Sequence, residues 1–108
     1  MRLTWSPAAA RMAAVPEAIS RAARPRLAGK ARLRFDRKAD RYMLLYPEKG
    51  LALNPTAAEI VRLCTGEHSV AQMVDQLAVR YGQEASVIER QVLELLAALA
   101  ERSLVEMT

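Results

Sequence analysis

The feature that most constrains the fold is a change in the spacing of apolar residues at Asn54. Before that residue, short runs alternate apolar with charged side chains, as strands do when one face is buried. After it, apolar residues recur every three or four positions, which is typical of amphipathic helices. A chain that makes this change once packs consecutive strands against consecutive helices, so the sequence predicts an α+β domain.

Three short strands are predicted before the change. They cover residues 31–36, 41–46 and 51–53. A polar turn at 36–40 separates the first two, and Pro47 and Gly50 predict a tight turn before the third, because proline fixes φ and glycine tolerates positive φ. Short connections between consecutive strands favour an antiparallel meander.

Three helices are predicted after the change, over residues 57–65, 70–81 and 87–102. Each start carries a capping-box pattern, in which a hydroxyl residue precedes Glu or Gln by three positions. The pairs are Thr56/Glu59, Ser69/Gln72 and Ser86/Glu89. Gly66 and Gly82 are predicted to end the first two helices, and Leu104 and Val105 to pack back onto the core. The predicted fold is winged-helix-like: a three-stranded antiparallel sheet followed by three α-helices.

The first 25 residues are predicted to be an extension, flexible or loosely docked, ahead of a folded domain over 26–108. Prolines at 7, 16 and 25 prevent one continuous helix there. Two alternatives stay open. The Arg-rich, acid-poor composition also resembles an organelle transit peptide, and Met12 offers a later start codon.

Composition narrows the class of protein. The 108 residues fit one domain, and no apolar run approaches the roughly 20 residues that span a bilayer. The start lacks the apolar core of a secretory signal, and a single cysteine excludes an internal disulfide, so we expect a cytoplasmic protein. Positive charge is concentrated in residues 1–41, which hold eleven Lys and Arg against three acidic residues.

One run of the sequence resembles a known family. Residues 50–66, GLALNPTAAEIVRLCTG, resemble the third-strand-to-first-helix signature of the PqqD family, the peptide chaperones of pyrroloquinoline quinone (PQQ) biosynthesis. The resemblance continues through 69–77 to the closing residues 99–105, and it covers about 26–105 in all. The family usually has glycine where Ser103 stands.

The resemblance implies a function and partners. Proteins of this family bind the ribosomally made precursor peptide and deliver it to a radical S-adenosylmethionine (SAM) enzyme, which cross-links a Glu and a Tyr of that peptide. In similar recognition elements the leader peptide docks as an added strand beside the third strand, in a groove walled by the third helix. The resemblance implies a binding role and not a catalytic one, and no cofactor or metal is expected.

The residues themselves are compatible with that docking mode. The stretch 51–54 has no proline and no charge within it, so the usual defences of an edge strand are missing. The third helix has more apolar residues than one buried stripe needs, which leaves Leu93 and Ala97 for a groove with Arg90 and Glu94 at its rim. The predicted peptide-binding residues are Leu51, Ala52, Leu53, Asn54, Arg90, Leu93, Glu94 and Ala97. The alternatives are an ordinary hairpin strand and a wide buried helix face.

The sequence also bears on three other functions. A winged-helix DNA-binding protein would use its third helix for recognition, but Glu89, Glu94 and Glu101 on that helix repel phosphates, so no specific nucleic acid is expected. An enzyme is disfavoured because there is one His, one Cys and no glycine-rich phosphate loop. A structural dimer formed by exchange of strands or of the N-terminal segment stays open beside a monomer. Cys64 is predicted to be a core residue, and its pairing with His68 makes a poor metal site.

Overall fold

Two sheets and three helices form the part of the chain that this computed structural model describes, which is residues 2–4, 19–47 and 49–107. The strands are β1 (Arg2–Thr4), β2 (Pro25–Leu27), β3 (Arg32–Asp36), β4 (Arg41–Tyr46), β5 (Lys49–Leu53) and β6 (Val105–Met107). The helices are α1 (Pro55–Arg62), α2 (Val70–Tyr81) and α3 (Ala85–Glu101). None of these helices has the length and apolar character to cross a bilayer.

The predicted meander is confirmed. Strands β3, β4 and β5 pair antiparallel in that order, and the three helices follow. Three further strands escaped prediction. β1 joins the same sheet parallel to β5, which gives the order β1-β5-β4-β3. β2 and β6 form a separate antiparallel pair.

Only one of the three predicted capping boxes exists. Ser69 accepts a hydrogen bond from the Gln72 amide (3.2 Å) and Gln72 accepts one from the Ser69 amide (2.9 Å). The Thr56 cap is wrong, because α1 begins two residues after Leu53 at Pro55 and its cap is Asn54, whose Oδ1 accepts from the Ala57 amide at 2.7 Å. The Ser86 cap is also wrong, since α3 begins at Ala85 without a side-chain cap.

Of the three glycines with a predicted structural role, only Gly82 has that role. Gly82 ends α2 in the left-handed conformation, as predicted, with φ of 62°. Gly66 does not end α1, which stops at Arg62; it lies in the loop beyond, with φ of 84°. Gly50 lies within β5 and has no positive φ, so it was wrong to include Gly50 in the predicted tight turn; the chain reverses between Tyr46 and Lys49. A Cβ at Gly50 would lie 3.1 Å from Met43 Cε, so a side chain there would require the Met43 side chain to shift by a few tenths of an ångström.

The core lies between the helices and one face of the larger sheet. Its fully buried large side chains are Leu44, Ile60, Met73, Leu77, Ile88, Leu95, Leu96, Leu99, Leu104, Val70, Val74 and Val92. They come from β4, all three helices and the residue before β6, so the predicted return of Leu104 and Val105 to the core is confirmed. Because one cluster joins all the helices to the sheet, the position of α3 relative to β5 is fixed by packing.

Residues ahead of β2 contact the start of α2. The carbonyl oxygen of Ala23 accepts from the Val70 amide (2.9 Å) and that of Arg21 accepts from the Ala71 amide (3.0 Å). These are donors that a helix N-terminus leaves without an internal partner. Arg21 also pairs with Glu89 at 3.0 Å. Most of the predicted extension, residues 1 and 5–18, lies outside the described residues, and its predicted looseness stays a prediction.

Candidate peptide-binding strand edge

The two sides of the antiparallel meander differ in charge. β3 carries the exposed side chains of Arg32 and Arg34, and long charged side chains on an outer strand discourage pairing with another chain. β5 has no charged residue from Gly50 to Leu53, and all four of these residues are buried. The side of the sheet suited to accept a further strand is therefore that of β5.

The hydrogen-bond alternation of β5 follows from its hairpin. Tyr46 and Lys49 are the last paired residues before the chain reverses, and such a closing pair is a hydrogen-bonded one. Counting on in steps of two, Leu51 and Leu53 bond to β4. The backbone N–H and C=O groups of Gly50 and Ala52 therefore point away from β4, toward the side where a further strand is added.

That side is already paired in the structure. β1 lies parallel to β5 with Leu3 in register with Leu51, between Gly50 and Ala52. The sequence suggested an unpaired edge at 51–54, and the structure differs: β5 has a neighbour on both sides. A second chain can pair with β5 only in an arrangement from which β1 has withdrawn.

Both faces of β5 are covered as well as both edges. Leu51 and Leu53 belong to the core cluster. Ala52 points to the opposite face, beside its cross-strand partner Met43, and each is only 4% exposed although neither belongs to the core cluster. The backbone of this strand is consequently shielded from water in the described arrangement.

Helix α3 places the other predicted site residues in different environments. Leu93 is half-buried and packs against the core, while Arg90 is exposed. Ala97 is 3% and Glu94 5% exposed, so neither lies in an open groove or at an exposed rim as predicted. The Glu94 carboxylate lies 4.0 Å from Arg90 Nε, one helical turn away. A role for these four residues in peptide binding stays a prediction.

Asn54 has a local structural role. Its side chain caps α1, so it fixes the point at which the chain leaves β5 and enters the helix. A cap of this kind stabilises a helix by about 1 kcal/mol. The contact that the structure shows for Asn54 is this cap, and its part in peptide binding stays a prediction.

An aromatic recess at the end of β5 was not predicted. Phe35, Tyr42 and Leu53 form a row across three strands, and with Ala58 and Tyr81 they border a cavity of about 240 Å³. Phe35 packs edge-on against Tyr42, with ring centroids 5.1 Å apart. The available signal was the alignment of two aromatic residues on adjacent predicted strands, which favours cross-strand contact.

Charged side chains fix one wall of this recess. Glu59 accepts from Arg62 (3.0 Å) and from Arg80 (2.8 Å), which ties α1 to α2. The Arg62 guanidinium lies 4.7 Å from the centre of the Tyr42 ring and donates to its hydroxyl group. Tyr42 is thereby held in place at the end of the sheet.

Neither Cys64 nor His68 forms a reactive site. Burial raises the pKa of the Cys64 thiol to about 12, and Sγ donates to the Ile60 carbonyl oxygen at 3.3 Å. His68 Nδ1 lies 3.4 Å from Gln76 Nε2. Among the residues that the structure describes, no three His, Cys, Asp or Glu side chains come together as a metal site.

Sequence comparisons identify relatives over most of the chain. The family model of PqqD, coenzyme PQQ synthesis protein D, matches residues 41–105. A PqqA binding protein of Rhodopseudomonas palustris strain TIE-1 is 42% identical over 84 residues, which are 78% of this chain and 82% of that protein. A bifunctional coenzyme PQQ synthesis protein C/D of Methylorubrum extorquens is 35% identical over 105 residues, 94% of this chain but 28% of the longer protein.

Solved structures agree with the fold described above. The solution structure of the PqqD part of Methylobacterium extorquens PqqCD, a stand-alone recognition element for ribosomally synthesized and post-translationally modified peptides (RiPPs), superposes with a TM-score of 0.73 at 34% identity. The superposed region covers 84% of this chain and 97% of that structure. The crystal structure of PqqD from Xanthomonas campestris gives a TM-score of 0.51 at 36% identity, over 80% and 96%. The chain belongs to the PqqD family.

Proposed function

We propose that this protein is a non-catalytic peptide chaperone of PQQ biosynthesis, which binds the PqqA precursor peptide by strand addition to β5. The observation that carries the proposal is the stretch of β5 from Gly50 to Leu53, which has no charged residue and already accepts a strand. Relatives that are named PqqA binding proteins supply the identity of the peptide. Strand addition draws affinity from backbone hydrogen bonds and selectivity from side-chain pockets.

Backbone pairing alone is too weak for a useful complex. A micromolar complex needs about −8 kcal/mol. Ordering a disordered peptide first costs about 2–5 kcal/mol, whereas each hydrogen bond contributes about 1 kcal/mol net. Apolar contacts must therefore add to the strand pairing. Leu93 on α3 and the aromatic recess at the end of β5 are the candidates for them.

The test is a titration of the ¹⁵N-labelled full chain with synthetic PqqA peptide, followed by amide chemical shifts. We expect the largest shifts over residues 51–54 and along 87–97. As a control, the Rhodopseudomonas palustris protein is titrated with the same peptide, which tests whether the synthetic peptide can bind a PqqA binding protein. Binding by that relative but not by this chain would contradict the proposed function, and shifts confined to other regions would contradict strand addition to β5.

Leu93→Glu is predicted to weaken PqqA binding at least tenfold, because a charge would replace an apolar side chain beside the peptide. Since Leu93 is half-buried, the variant should also lose some stability while keeping its fold. Calorimetry gives the affinity and circular dichroism the fold. Val79→Glu is the matched control, because Val79 is 84% exposed on α2. Equal affinities for the two variants would remove Leu93 from the binding surface.

Presentation to the radical SAM enzyme of the pathway is the second part of the proposal. Its support is the exposed basic surface formed by Arg32, Arg34, Arg37, Lys38 and Arg41, which suits an acidic partner. Reversing Arg32 and Arg34 to Glu should weaken capture of that enzyme without changing affinity for PqqA. Unaltered capture would exclude this surface.

A further inference from the structure

We propose that residues 2–4 act as an intramolecular competitor of the PqqA peptide. In this proposal β1 occupies the side of β5 to which the peptide adds, so binding requires β1 to withdraw. The inference rests on the proposed function in that it takes β5 as the docking strand. It goes further by assigning a regulatory role to a segment that lies outside the recognised family match at 41–105.

The competition follows from the backbone geometry. Gly50 and Ala52 present their N–H and C=O groups on the side opposite β4, and Leu3 stands between them in the parallel register. Each of these donors and acceptors pairs with one strand at a time. A peptide added to β5 in either direction uses the same groups, so β1 and the peptide exclude each other.

The short length of β1 makes the block reversible. It spans three residues, and the fourteen residues 5–18 link it to the rest of the described chain at Ile19. Because β1 and β5 belong to the same chain, their pairing is intramolecular and does not depend on protein concentration. A three-residue strand therefore closes the site often but not permanently, which suits a competitor that a specific peptide displaces.

The expected change in peptide affinity follows from the fraction of molecules in which β1 is not paired with β5. The apparent dissociation constant equals the intrinsic one divided by that fraction. If β1 is withdrawn in about 10–30% of molecules, the peptide binds about 3–10-fold more weakly than it would without β1. Loss of β1 pairing should therefore strengthen binding by that factor.

A matched pair of proline variants in the full chain separates pairing from other effects. Leu3→Pro removes the N–H that faces β5, which breaks the pairing. Thr4→Pro removes the next N–H, which points away from β5 on what is the outer strand of the sheet, where proline is tolerated. The two variants differ by one position and carry the same kind of residue.

Two measurements decide the outcome. Amide hydrogen exchange without peptide should be about 3–10-fold faster at Ala52 in Leu3→Pro than in wild type, with Thr4→Pro unchanged. Calorimetry with synthetic PqqA should show Leu3→Pro binding about 3–10-fold more tightly, again with Thr4→Pro unchanged.

The alternative results are distinct. Unchanged exchange at Ala52 in Leu3→Pro would show that β1 does not protect β5, and the proposal falls. Faster exchange with unchanged affinity would show that β1 pairs with β5 but does not compete with PqqA, which also overturns it. Failure of every variant to bind PqqA would instead contradict the proposed function.

Discussion

Burial determines the chemistry of Cys64. Its side chain packs in the core, as the sequence predicted, and its thiol donates to a carbonyl oxygen one turn earlier in the chain, that of Ile60. The thiolate would lose its hydration in this position, which is why the pKa of the thiol rises to about 12 from 9.0. At neutral pH Cys64 is a protonated core residue and has no nucleophilic role.

The raised pKa of Cys64 predicts a loss of stability in alkali. Below pH 9 the thiol is protonated in both states; between pH 9 and 12 it ionises only in the unfolded chain, which favours unfolding. The free energy of unfolding should fall in that range by up to about 1.4 kcal/mol per pH unit more than in Cys64→Ala. Urea unfolding of both proteins at pH 8, 9.5 and 10.5 measures this, since other titrating groups cancel. Parallel pH profiles would contradict the pKa shift.

Among the elements, α2 was predicted at both ends and α1 and α3 were not. Ser69 and Gly82 bound α2 through local hydrogen bonds and backbone conformation that single residues specify. For α1 the decisive signal was Asn54 followed by Pro55, since proline favours the first helical position, and the Thr56 pattern falls inside the first turn. For α3 no cap marks the start, so a local pattern could not locate it.

The candidate site was only partly predictable for a different reason. Alternation and absence of charge identified β5 as a strand suited to pairing. The pairing with β1 was not predictable, because a three-residue strand shows no periodicity and its partner is 48 positions away. The burial of Glu94 and Ala97 was not predictable either, because it depends on which elements pack against α3 in the folded chain.

The helix caps supply a prediction at the same scale. Ser69→Ala should lower the free energy of unfolding by about 1 kcal/mol, because the Gln72 amide loses its acceptor. Ser86→Ala should leave stability within about 0.5 kcal/mol of wild type, since Ser86 is exposed and caps nothing. Urea denaturation compares the two. A larger loss for Ser86→Ala would mean that the capping pattern at α3 exists in solution.

For the whole molecule, the segment around β2 joins the two halves of the sequence. β2 pairs with β6, and Ala28 donates to the Leu104 carbonyl oxygen at 2.8 Å. On the other side, Leu27 donates to the Cys64 carbonyl oxygen at 3.0 Å. Residues before the meander are thus bonded both to the loop after α1 and to the chain's last strand.

A substitution at Leu104 tests how much the packing of the C-terminal residues contributes to the stability of the fold. Its side chain is fully buried, so Leu104→Ala should lower the free energy of unfolding by about 2–4 kcal/mol through lost burial and the cavity left behind. Leu45→Ala removes the same atoms from a side chain that is 40% exposed and should cost about half as much or less. Thermal and urea unfolding compare them. Equal losses would show that burial of Leu104 adds little to the free energy of unfolding.

The pairing of β2 with β6 also bears on how this domain is joined to others. Pro25 stands in register with Met107, so the first and last strands of the small sheet leave the domain side by side. A segment that follows β6 therefore starts beside the entry to β2, close to Arg21 and Ala23, whose carbonyl oxygens bond to the start of α2.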